Sequence, residues 1–251
     1  MISTIIVAKN EARKISRCIK AALQVSTEVI VIDTGSTDET VLVSEKSGAI
    51  VHRLDWQGYG VTKNLGMQFA KFDWILSLDA DEVMDADLIQ AIKNLELKDS
   101  EQVFELQRIT NLGGKWIKHS GWYPDKIARL FHKDIASWTD SPVHEKLQFI
   151  QKVKIQVLTG HLWHFSYDSL EDLNAKTLLY AKLNAEKRRQ RGKKATFYSG
   201  NIDPWVKALK MLFILGGWMD GKAGWHLAMN GYRNKRLEHE YLLKQGLRQT
   251  F

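Results

Sequence analysis

Short apolar runs alternate with longer amphipathic stretches over the first hundred residues. Each run is only five or six residues long, which suits a strand that is covered on both faces. The runs cover residues 3–8, 28–32, 49–53 and 74–78. Between them, apolar residues recur at helical spacing, as in the stretch from Ile15 to Leu23. Strands that alternate with helices predict an α/β fold, with a mostly parallel sheet, right-handed crossovers and helices on both faces.

The pattern changes after Ser100, where helices give way to further strands. We expect strands at residues 102–110 and 127–131, and a half-exposed strand at residues 152–158. Asp168 is then placed to cap a long helix that ends near Gln190. Two more helices follow, at residues 204–215 and 220–243, with Pro204 in the first turn of the former. The expected organisation is therefore a domain at residues 1–167, divided into halves at residues 1–99 and 100–167, with a C-terminal helical extension at residues 168–251.

Three carboxylates follow directly on the fourth strand, at Asp79, Asp81 and Glu82. They repel one another unless positive charge lies among them, and carboxylate oxygens are the ligands that Mg²⁺ and Mn²⁺ prefer. The alternative is a solvated acidic turn that caps the next helix. Asn10 and Asp33 also follow strand ends, and ligands of such sheets bind outside the carboxyl ends of the strands. We therefore expect Asn10, Asp33 and Asp79 to line one crevice.

The composition and charge of the C-terminal part indicate a possible contact with a membrane or a sugar. The formal net charge is +7, and residues 187–194 alone carry six positive charges. Nine tryptophans beside Lys and Arg suit a membrane interface or a sugar-stacking site. The apolar face at residues 205–215, next to Lys207 and Lys210, is typical of a helix in a membrane interface, but it could equally pack on the domain.

Several function classes are disfavoured by the same survey. No apolar run reaches the length that spans a bilayer, and the N-terminal residues lack the pattern of a signal peptide. The single cysteine, Cys18, fits a reducing cytoplasm and a buried packing role. No motif that reads a nucleic-acid groove is present, so nucleic acid is not an expected partner.

With these residues in place, the chain resembles family 2 glycosyltransferases with the GT-A fold. More narrowly, it resembles the bacterial branch that adds glucose in β linkage to a heptose of the lipopolysaccharide inner core. The superfamily motifs are Ala8-Lys9-Asn10-Glu11, Asp33 to Asp38, Lys63-Asn64 and Leu78 to Glu82. The branch motifs are Gly58, Gly121-Trp122-Tyr123-Pro124-Asp125, Arg129-Leu130-Phe131, Val143-His144-Glu145 and His164 to Tyr167. One departure concerns Thr34, where the family often has a second acidic residue that helps to read the nucleotide base.

The resemblance implies a nucleotide-sugar donor and a divalent cation, Mg²⁺ or Mn²⁺, at the leaving diphosphate. Asp81 would bind the cation, and Asp79 would hold the ribose or the metal with it. His164 is a possible third ligand, although a histidine beside aromatic residues is more often packed and hydrogen-bonded. The expected donor-binding residues are Ala8, Asn10, Glu11, Asp33, Lys63 and Asp79. Lys63 would pair with a phosphate or the base, unless it lies on a solvated helix face.

Inversion in a single displacement requires a base that takes a proton from the acceptor hydroxyl. Glu145 is the favoured candidate and Asp125 is the other; either could instead form an ion pair with an arginine such as Arg129. Trp116, Trp122 and Tyr123 are expected to form an acceptor platform, although aromatic residues in such loops can also be core anchors.

These expectations together describe a cytoplasmic, metal-dependent inverting hexosyltransferase, peripheral on the inner face of the inner membrane. It would transfer glucose from UDP-glucose to the lipopolysaccharide core. The alternatives are another nucleotide sugar, a polyprenyl-phosphate acceptor, or a membrane adaptor without activity. A nucleotidyltransferase is disfavoured, because Lys9-Asn10-Glu11 stands where those enzymes usually carry a Gly-rich phosphate loop.

Overall fold

A computed structural model of the chain describes residues 1–140 and 145–247, with side chains described to residue 244. These residues belong to two compact units. Unit 1 comprises residues 1–108 and 125–164, and unit 2 comprises residues 109–124 and the chain from residue 165 onward. Of the branch motif at residues 143–145, only Glu145 lies within the described residues. The functional boundary expected after residue 167 stays a prediction.

The strands and helices alternate as expected in the first third of the chain, and strands dominate the next third. The strands are β1 (Ile2–Ala8), β2 (Glu28–Asp33), β3 (Ile50–Arg53), β4 (Trp74–Asp79), β5 (Glu82–Met84), β6 (Gln102–Leu112), β7 (Lys115–Trp116), β8 (Asp125–His132), β9 (Ala136–Trp138), β10 (Leu147–Phe149), β11 (Lys154–Val157) and β12 (Leu162–Tyr167). The helices are α1 (Ile15–Ala22), α2 (Thr40–Lys46), α3 (Tyr59–Gln68), α4 (Ala86–Lys93), α5 (Leu170–Gln190), α6 (Phe197–Asn201), α7 (Asp203–Leu209) and α8 (Lys222–Leu247).

Ten strands form one sheet in which a parallel part adjoins an antiparallel part. The order is β3-β2-β1-β4-β8-β6-β12-β5, with β7 and β11 also paired to β6. Strands β3, β2, β1 and β4 are parallel, and β8 runs antiparallel to both β4 and β6. Strands β9 and β10 form a separate antiparallel pair. The α/β fold predicted from the alternating pattern is thus confirmed.

The central strands are buried because both faces of the sheet are covered. Ile6 contributes to the core on one face, where Ile15 and Ile19 of α1 also pack. Its neighbour Ile5 points to the opposite face, as successive strand residues must. On that face α3 approaches closely at Gly66, where an added Cβ would lie 2.9 Å from side-chain carbons of Ile5 and of Ile32.

Three local predictions were wrong. All four residues of β11 are exposed instead of alternating, because β11 pairs only at an edge of the sheet. The cap of α5 is Ser169 and not Asp168: the Ser169 hydroxyl accepts a hydrogen bond from the Asp172 N–H at 3.2 Å. Asp220 does not begin a helix, since its buried carboxylate accepts the backbone N–H groups of Lys118 and His119. Helix α6 was not predicted at all.

Unit 2 packs the hairpin at residues 109–124 against the C-terminal helices. Helix α7 continues into a π-helical turn, Lys210–Ile214, which is followed by a 3₁₀ turn at Gly217–Asp220. Their shared core consists of Leu112, Ile117, Leu173, Met211, Leu212, Leu227 and Ala228. The Ser120 N–H also donates to the Leu215 carbonyl at 2.8 Å. Among the described helices, none combines the length and the hydrophobicity needed to cross a bilayer.

Candidate active site

The strand register brings the acidic segments to one edge of the sheet. Ala8, at the end of β1, pairs with Asp33 of β2, while Val7 pairs with Asp79 of β4. Asp33 and Asp79 therefore flank β1 on its two sides. Since neighbouring strands lie about 4.8 Å apart, the two backbones are roughly 10 Å from each other. Asn10 follows β1 at the same edge.

The loop after β1 is fastened to the loop after β2 by side-chain hydrogen bonds. Asn10 adopts a left-handed conformation with φ of 57°, which asparagine tolerates better than most residues. Its side-chain oxygen accepts the Thr37 N–H at 2.8 Å, and its own N–H donates to the Ser36 hydroxyl at 2.9 Å. The Glu11 N–H donates to the Thr40 hydroxyl at 2.8 Å. Asn10 and Glu11 thus fix the shape of this edge, and their donor-binding role stays a prediction.

Asp33 is buried, and its carboxylate holds its own turn. The backbone N–H groups of Gly35 and Ser36 each donate to it at 3.2 Å. The Thr34 hydroxyl, which stands where the family often has an acid, donates to the Ala8 carbonyl at 3.2 Å. Neither side chain is simply presented to solvent. Reading of a base by Asp33 stays a prediction, and backbone groups of this turn are the other candidates.

Cationic side chains neutralise the acidic segment at the end of β4. Their position here was not predicted from the sequence. Asp79 accepts from Arg129 Nη2 at 2.6 Å and from Lys63 Nζ at 3.1 Å. Glu82 is fully buried and accepts from Arg129 at 2.7 Å, from Arg108 at 3.2 Å and from the Asp79 N–H at 3.0 Å. Arg129 comes from β8, which pairs with β4, and Arg108 comes from β6, which pairs with β8 on its other side. No local sequence pattern revealed this strand order. The segment is therefore not the solvated acidic turn that was the alternative.

These ion pairs keep the buried groups charged. Burial alone would raise the pKa of Asp79, but Arg129 and Lys63 bring it well below its usual range. Burial alone would lower the pKa of Arg129, but Asp79 and Glu82 raise it above its usual range. Cys18 is buried beside this segment, and desolvation, reinforced by Glu82 and Asp81, raises the pKa of its thiol. Cys18 is thus an inert packing residue, as expected.

Both candidate bases belong to the same chain of charges. Glu145 accepts from Lys63 Nζ at 3.0 Å, and Asp125 accepts from Arg108 Nη2 at 2.7 Å. Both therefore form ion pairs, although neither uses Arg129. We call this chain the ion network. In order along it, the members are Glu145, Lys63, Asp79, Arg129, Glu82, Arg108 and Asp125.

Lys63 does not lie on a solvated helix face, because only 2% of it is exposed. Its ammonium group lies between two carboxylates and 4.6 Å from the ring centroid of Trp138. A role in binding a donor phosphate stays a prediction. In this structure, the ammonium group of Lys63 forms ion pairs with Asp79 and Glu145.

A divalent cation would find a sparse set of protein ligands. Asp81 Oδ1 lies 3.5 Å from His164 Nε2, and both side chains are largely buried. Within residues 1–140 and 145–247, no three His, Cys, Asp or Glu side chains form a metal-binding group. An Asp–His pair still fits Mg²⁺ or Mn²⁺, which take many ligands from phosphate and water. Each Asp79 oxygen meets a cationic nitrogen in this structure, and a direct metal-ligand role for Asp79 stays a prediction.

The aromatic residues predicted to bind an acceptor lie in unit 2. Trp122 packs against the core of that unit, with its ring centroid 5.6 Å from that of Tyr167. Trp116 packs edge-on against Phe165 at 5.4 Å. Both tryptophans therefore serve at least partly as core anchors. Trp122 and Tyr123 are each half-buried, and their role in acceptor binding stays a prediction.

The profile of Glycosyl transferase family 2 matches residues 3–173, which is most of the chain. The chain belongs to that family. A parallel part of the sheet that continues into antiparallel strands accords with this membership, and the predicted GT-A fold is confirmed. The family 2 glycosyltransferase therefore carries its acidic segment, Asp79 to Glu82, inside the matched region.

Relatives of this family 2 glycosyltransferase are bacterial. An uncharacterized glycosyltransferase of Rickettsia bellii is 33% identical over 207 residues, covering 77% of this chain and 69% of the relative. The lipopolysaccharide core biosynthesis glycosyltransferase LpsC of Rhizobium meliloti is 26% identical over 242 residues, covering 92% of this chain and 87% of LpsC. Among solved structures, glucosyl-3-phosphoglycerate synthase of Mycobacterium tuberculosis, with Mn²⁺, UDP and glucosyl-3-phosphoglycerate, is 23% identical over 44% of each chain. Its TM-score is 0.35, so this likeness adds nothing to the assignment.

Proposed function

We propose that this glycosyltransferase moves a hexose, with inversion, from a nucleotide-diphosphate sugar to a heptose of the lipopolysaccharide core. The favoured donor is UDP-glucose. Support for the acceptor comes from the likeness to LpsC over nearly the whole chain and from the branch motifs. The observation that carries the proposal is the acidic segment of a family 2 chain, lying beyond β4 at the edge shared with β1 and β2.

On this proposal, the donor diphosphate lies at that edge, beside Asp81 and His164. These two residues would hold Mg²⁺ or Mn²⁺, which supplies positive charge against the departing diphosphate. Asp79 is held in one place by Lys63 and Arg129, so its carboxylate can orient the ribose without reorganising. The buried Glu82 fixes the backbone of the segment by accepting the Asp79 N–H.

Glu145 is the proposed base. Its carboxylate shares the Lys63 ammonium with Asp79, so it lies next to the donor-side carboxylates. From there it would take the proton of the attacking heptose hydroxyl as the bond to the anomeric carbon forms. Asp125 lies at the other end of the ion network, where Arg108 Nη2 and Nε both donate to one of its oxygens.

We further propose that unit 2 contacts the inner membrane at its cytoplasmic face, where a lipid-linked core acceptor would be found. Large apolar side chains are exposed along residues 197–225; we call them the apolar face. Its members are Phe197, Ile202, Trp205, Leu209, Phe213, Ile214, Trp218 and Trp225. Residues 191–229 also contain six Lys or Arg but only two acids, one of which is buried. Exposed aromatic and aliphatic groups among cations suit an anionic lipid surface.

Titration calorimetry with UDP, with and without Mn²⁺, tests the donor site. We expect Mn²⁺ to tighten UDP binding in the wild type and to have no such effect in Asp81→Ala. The matched control is Asp87→Ala, an exposed acid on α4, which should bind as the wild type does. Metal-dependent binding that is unaltered in Asp81→Ala would remove the metal role of Asp81.

The acceptor is tested by incubating the wild type with nucleotide sugars and two acceptors, deglucosylated core oligosaccharide and a polyprenyl phosphate. Mass spectrometry should find one added hexose on the oligosaccharide, with UDP-glucose as the donor. A product on the polyprenyl phosphate alone, or with another donor, would replace the proposed substrate. No product with any pair would refute the transferase function and favour an adaptor.

A further inference from the structure

One face of helix α3 grips the chain segment that carries Glu145. Gly60, Lys63 and Asn64 have the i, i+3, i+4 spacing that places residues on the same side of a helix. Each of the three contacts a described residue near the end of β9 or the start of β10, namely Trp138, Thr139 or Glu145. Binding of the donor does not by itself require a contact between α3 and the residues next to β9, so this contact needs a separate explanation.

Asn64 binds the backbone of the segment in both directions. Its side-chain nitrogen donates to the Trp138 carbonyl at 2.9 Å, and its side-chain oxygen accepts the Trp138 N–H at 2.8 Å. The side chain thus acts as a neighbouring strand would for the last residue of β9. Replacing it with an apolar residue would leave two backbone groups of a largely buried residue without a partner.

Gly60 allows the helix to approach. A Cβ at this position would lie 1.9 Å from the Thr139 carbonyl oxygen and 3.6 Å from Glu145 Cβ. The Thr139 N–H donates to the Lys146 carbonyl at 2.9 Å, and the Lys146 N–H donates to the Thr139 hydroxyl at 2.9 Å. Lys146, the residue after Glu145, is therefore tied to Thr139, which lies directly against the first turn of α3.

Lys63 then connects the side chain of Glu145 to the donor side. Its nitrogen lies 3.0 Å from Glu145 Oε1 and 3.1 Å from Asp79 Oδ1, and the side chain is almost fully buried. A buried lysine that bridges two carboxylates fixes both of them, because moving either would leave a charge unpaired in a poorly solvated site. The separation of the two carboxylates is thereby limited to the span of one shared ammonium group.

We propose that Lys63 and Asn64 are positioning residues that set Glu145 against the donor-side carboxylates, with Asn64 holding the backbone and Lys63 the side chain. This inference rests on the proposed function, because it takes Glu145 as the base. On this view, the Lys63-Asn64 pair acts on the acceptor step through Glu145. Loss of either residue then slows transfer while the donor still binds.

The test is a double-mutant cycle between Asn64→Ala and Glu145→Gln, with kcat, KM for the nucleotide sugar and UDP affinity measured for each variant. We expect Asn64→Ala to lower kcat by about 10²-fold, the scale of an ångström-sized misplacement, and to change KM by less than about threefold. In the Glu145→Gln background, the same substitution should have almost no further effect on kcat. Gln68→Ala, an exposed change on the same helix, should leave all three quantities at wild-type values.

Three further variants, Asn64→Asp, Lys63→Arg and Lys63→Met, complete the test, and urea denaturation would reveal any loss of folding. Asn64→Asp keeps an acceptor for the Trp138 N–H, and Lys63→Arg keeps the charge. Lys63→Arg should recover more of kcat than Lys63→Met. An unchanged kcat in Asn64→Ala or Asn64→Asp, or an equal loss in both Glu145 backgrounds, would overturn this inference alone. A wild type that transfers no sugar would instead refute the proposed function on which it depends.

Discussion

Arg129 illustrates how single residues decide the character of this site. Its guanidinium group is buried and donates to both Asp79 and Glu82, the latter without any exposure to solvent. A carboxylate so deeply placed is costly unless it is paired and hydrogen-bonded. The geometry of the acidic segment therefore depends on Arg129 of β8 as well as on the strand that carries the segment, although Arg129 is far away in sequence.

We expect Arg129→Met to lower the free energy of unfolding by about 3–5 kcal/mol, the usual effect of removing one partner of a buried ion pair. Urea denaturation measures the change. The control is Lys98→Met, which removes a pair with Glu96 at 2.9 Å in which both side chains are about four-fifths exposed. That change should stay within about 0.5 kcal/mol, and equal losses in the two variants would contradict the assigned importance of Arg129.

Isosteric substitutions distinguish between the two candidate bases, Glu145 and Asp125. Glu145→Gln should bind UDP normally but lose transfer by about 10²–10⁴-fold, because an amide cannot accept the acceptor proton. Asp125→Asn should retain most of its turnover. Single-turnover assays with saturating donor provide the measurement. Normal turnover in Glu145→Gln together with a loss in Asp125→Asn would transfer the role to Asp125.

At the scale of elements, the strands that could be predicted from the sequence are those with both faces buried. Strands β1, β2 and β4 were predictable because both of their faces are covered, so each is a continuous apolar run. The burial of strand β11 was predicted incorrectly. Its polar and apolar residues alternate, but all four are exposed, so neither face of the strand is covered. Helix α6, of five residues, is too short to show a helical period.

The same reasoning explains what was found of the site and what was missed. The carboxylates Asp79, Asp81 and Glu82 were recognisable because they end a buried run. The partners Arg129 and Arg108 lie on β8 and β6, and the pairing of β8 with β4 and of β6 with β8 depends on tertiary register. The burial of Lys63 was not predicted, because it depends on tertiary contacts with Asp79, Glu145 and Trp138.

Packing of α3 on the sheet can be tested at Gly66. An added methyl group would lie 2.9 Å from carbons of both Ile5 and Ile32, which are well packed on adjacent strands. We expect Gly66→Ala to destabilise the fold by about 1–3 kcal/mol in spite of its better helix propensity. Thermal or urea unfolding gives the value. Gln68→Ala, exposed on the same helix, serves as control, and a stabilised Gly66→Ala would show that the helix can move away from the sheet.

At the scale of the whole molecule, charge and exposed apolar area are concentrated in unit 2. The apolar face contains large side chains that would normally be buried, and it adjoins most of the excess positive charge of the C-terminal part. A globular chain gains nothing in water by exposing so many aromatic groups. The distribution favours a surface that meets lipid.

Vesicle sedimentation tests the apolar face. Wild type should bind vesicles that contain phosphatidylglycerol, less so at high salt, and should bind neutral vesicles weakly. Phe213→Ser with Ile214→Ser, at side chains that are 63% and 76% exposed, should weaken binding by at least about tenfold. The matched control is Ile150→Ser with Ile155→Ser in unit 1, 75% and 56% exposed. Equal binding by both double variants would contradict a membrane role for the apolar face.

The hairpin at residues 109–124 shares its hydrophobic core with helices that come much later in the chain. Synthesis must therefore reach residue 228 before Leu112 and Ile117 can be covered by their full set of core partners. Proteolysis or a premature stop after residue 167 would uncover these side chains and strip the hairpin of the Asp220 carboxylate that accepts its N–H groups. Such a fragment should aggregate, so a cleavage that removes the C-terminal helices would inactivate the protein by unfolding the hairpin.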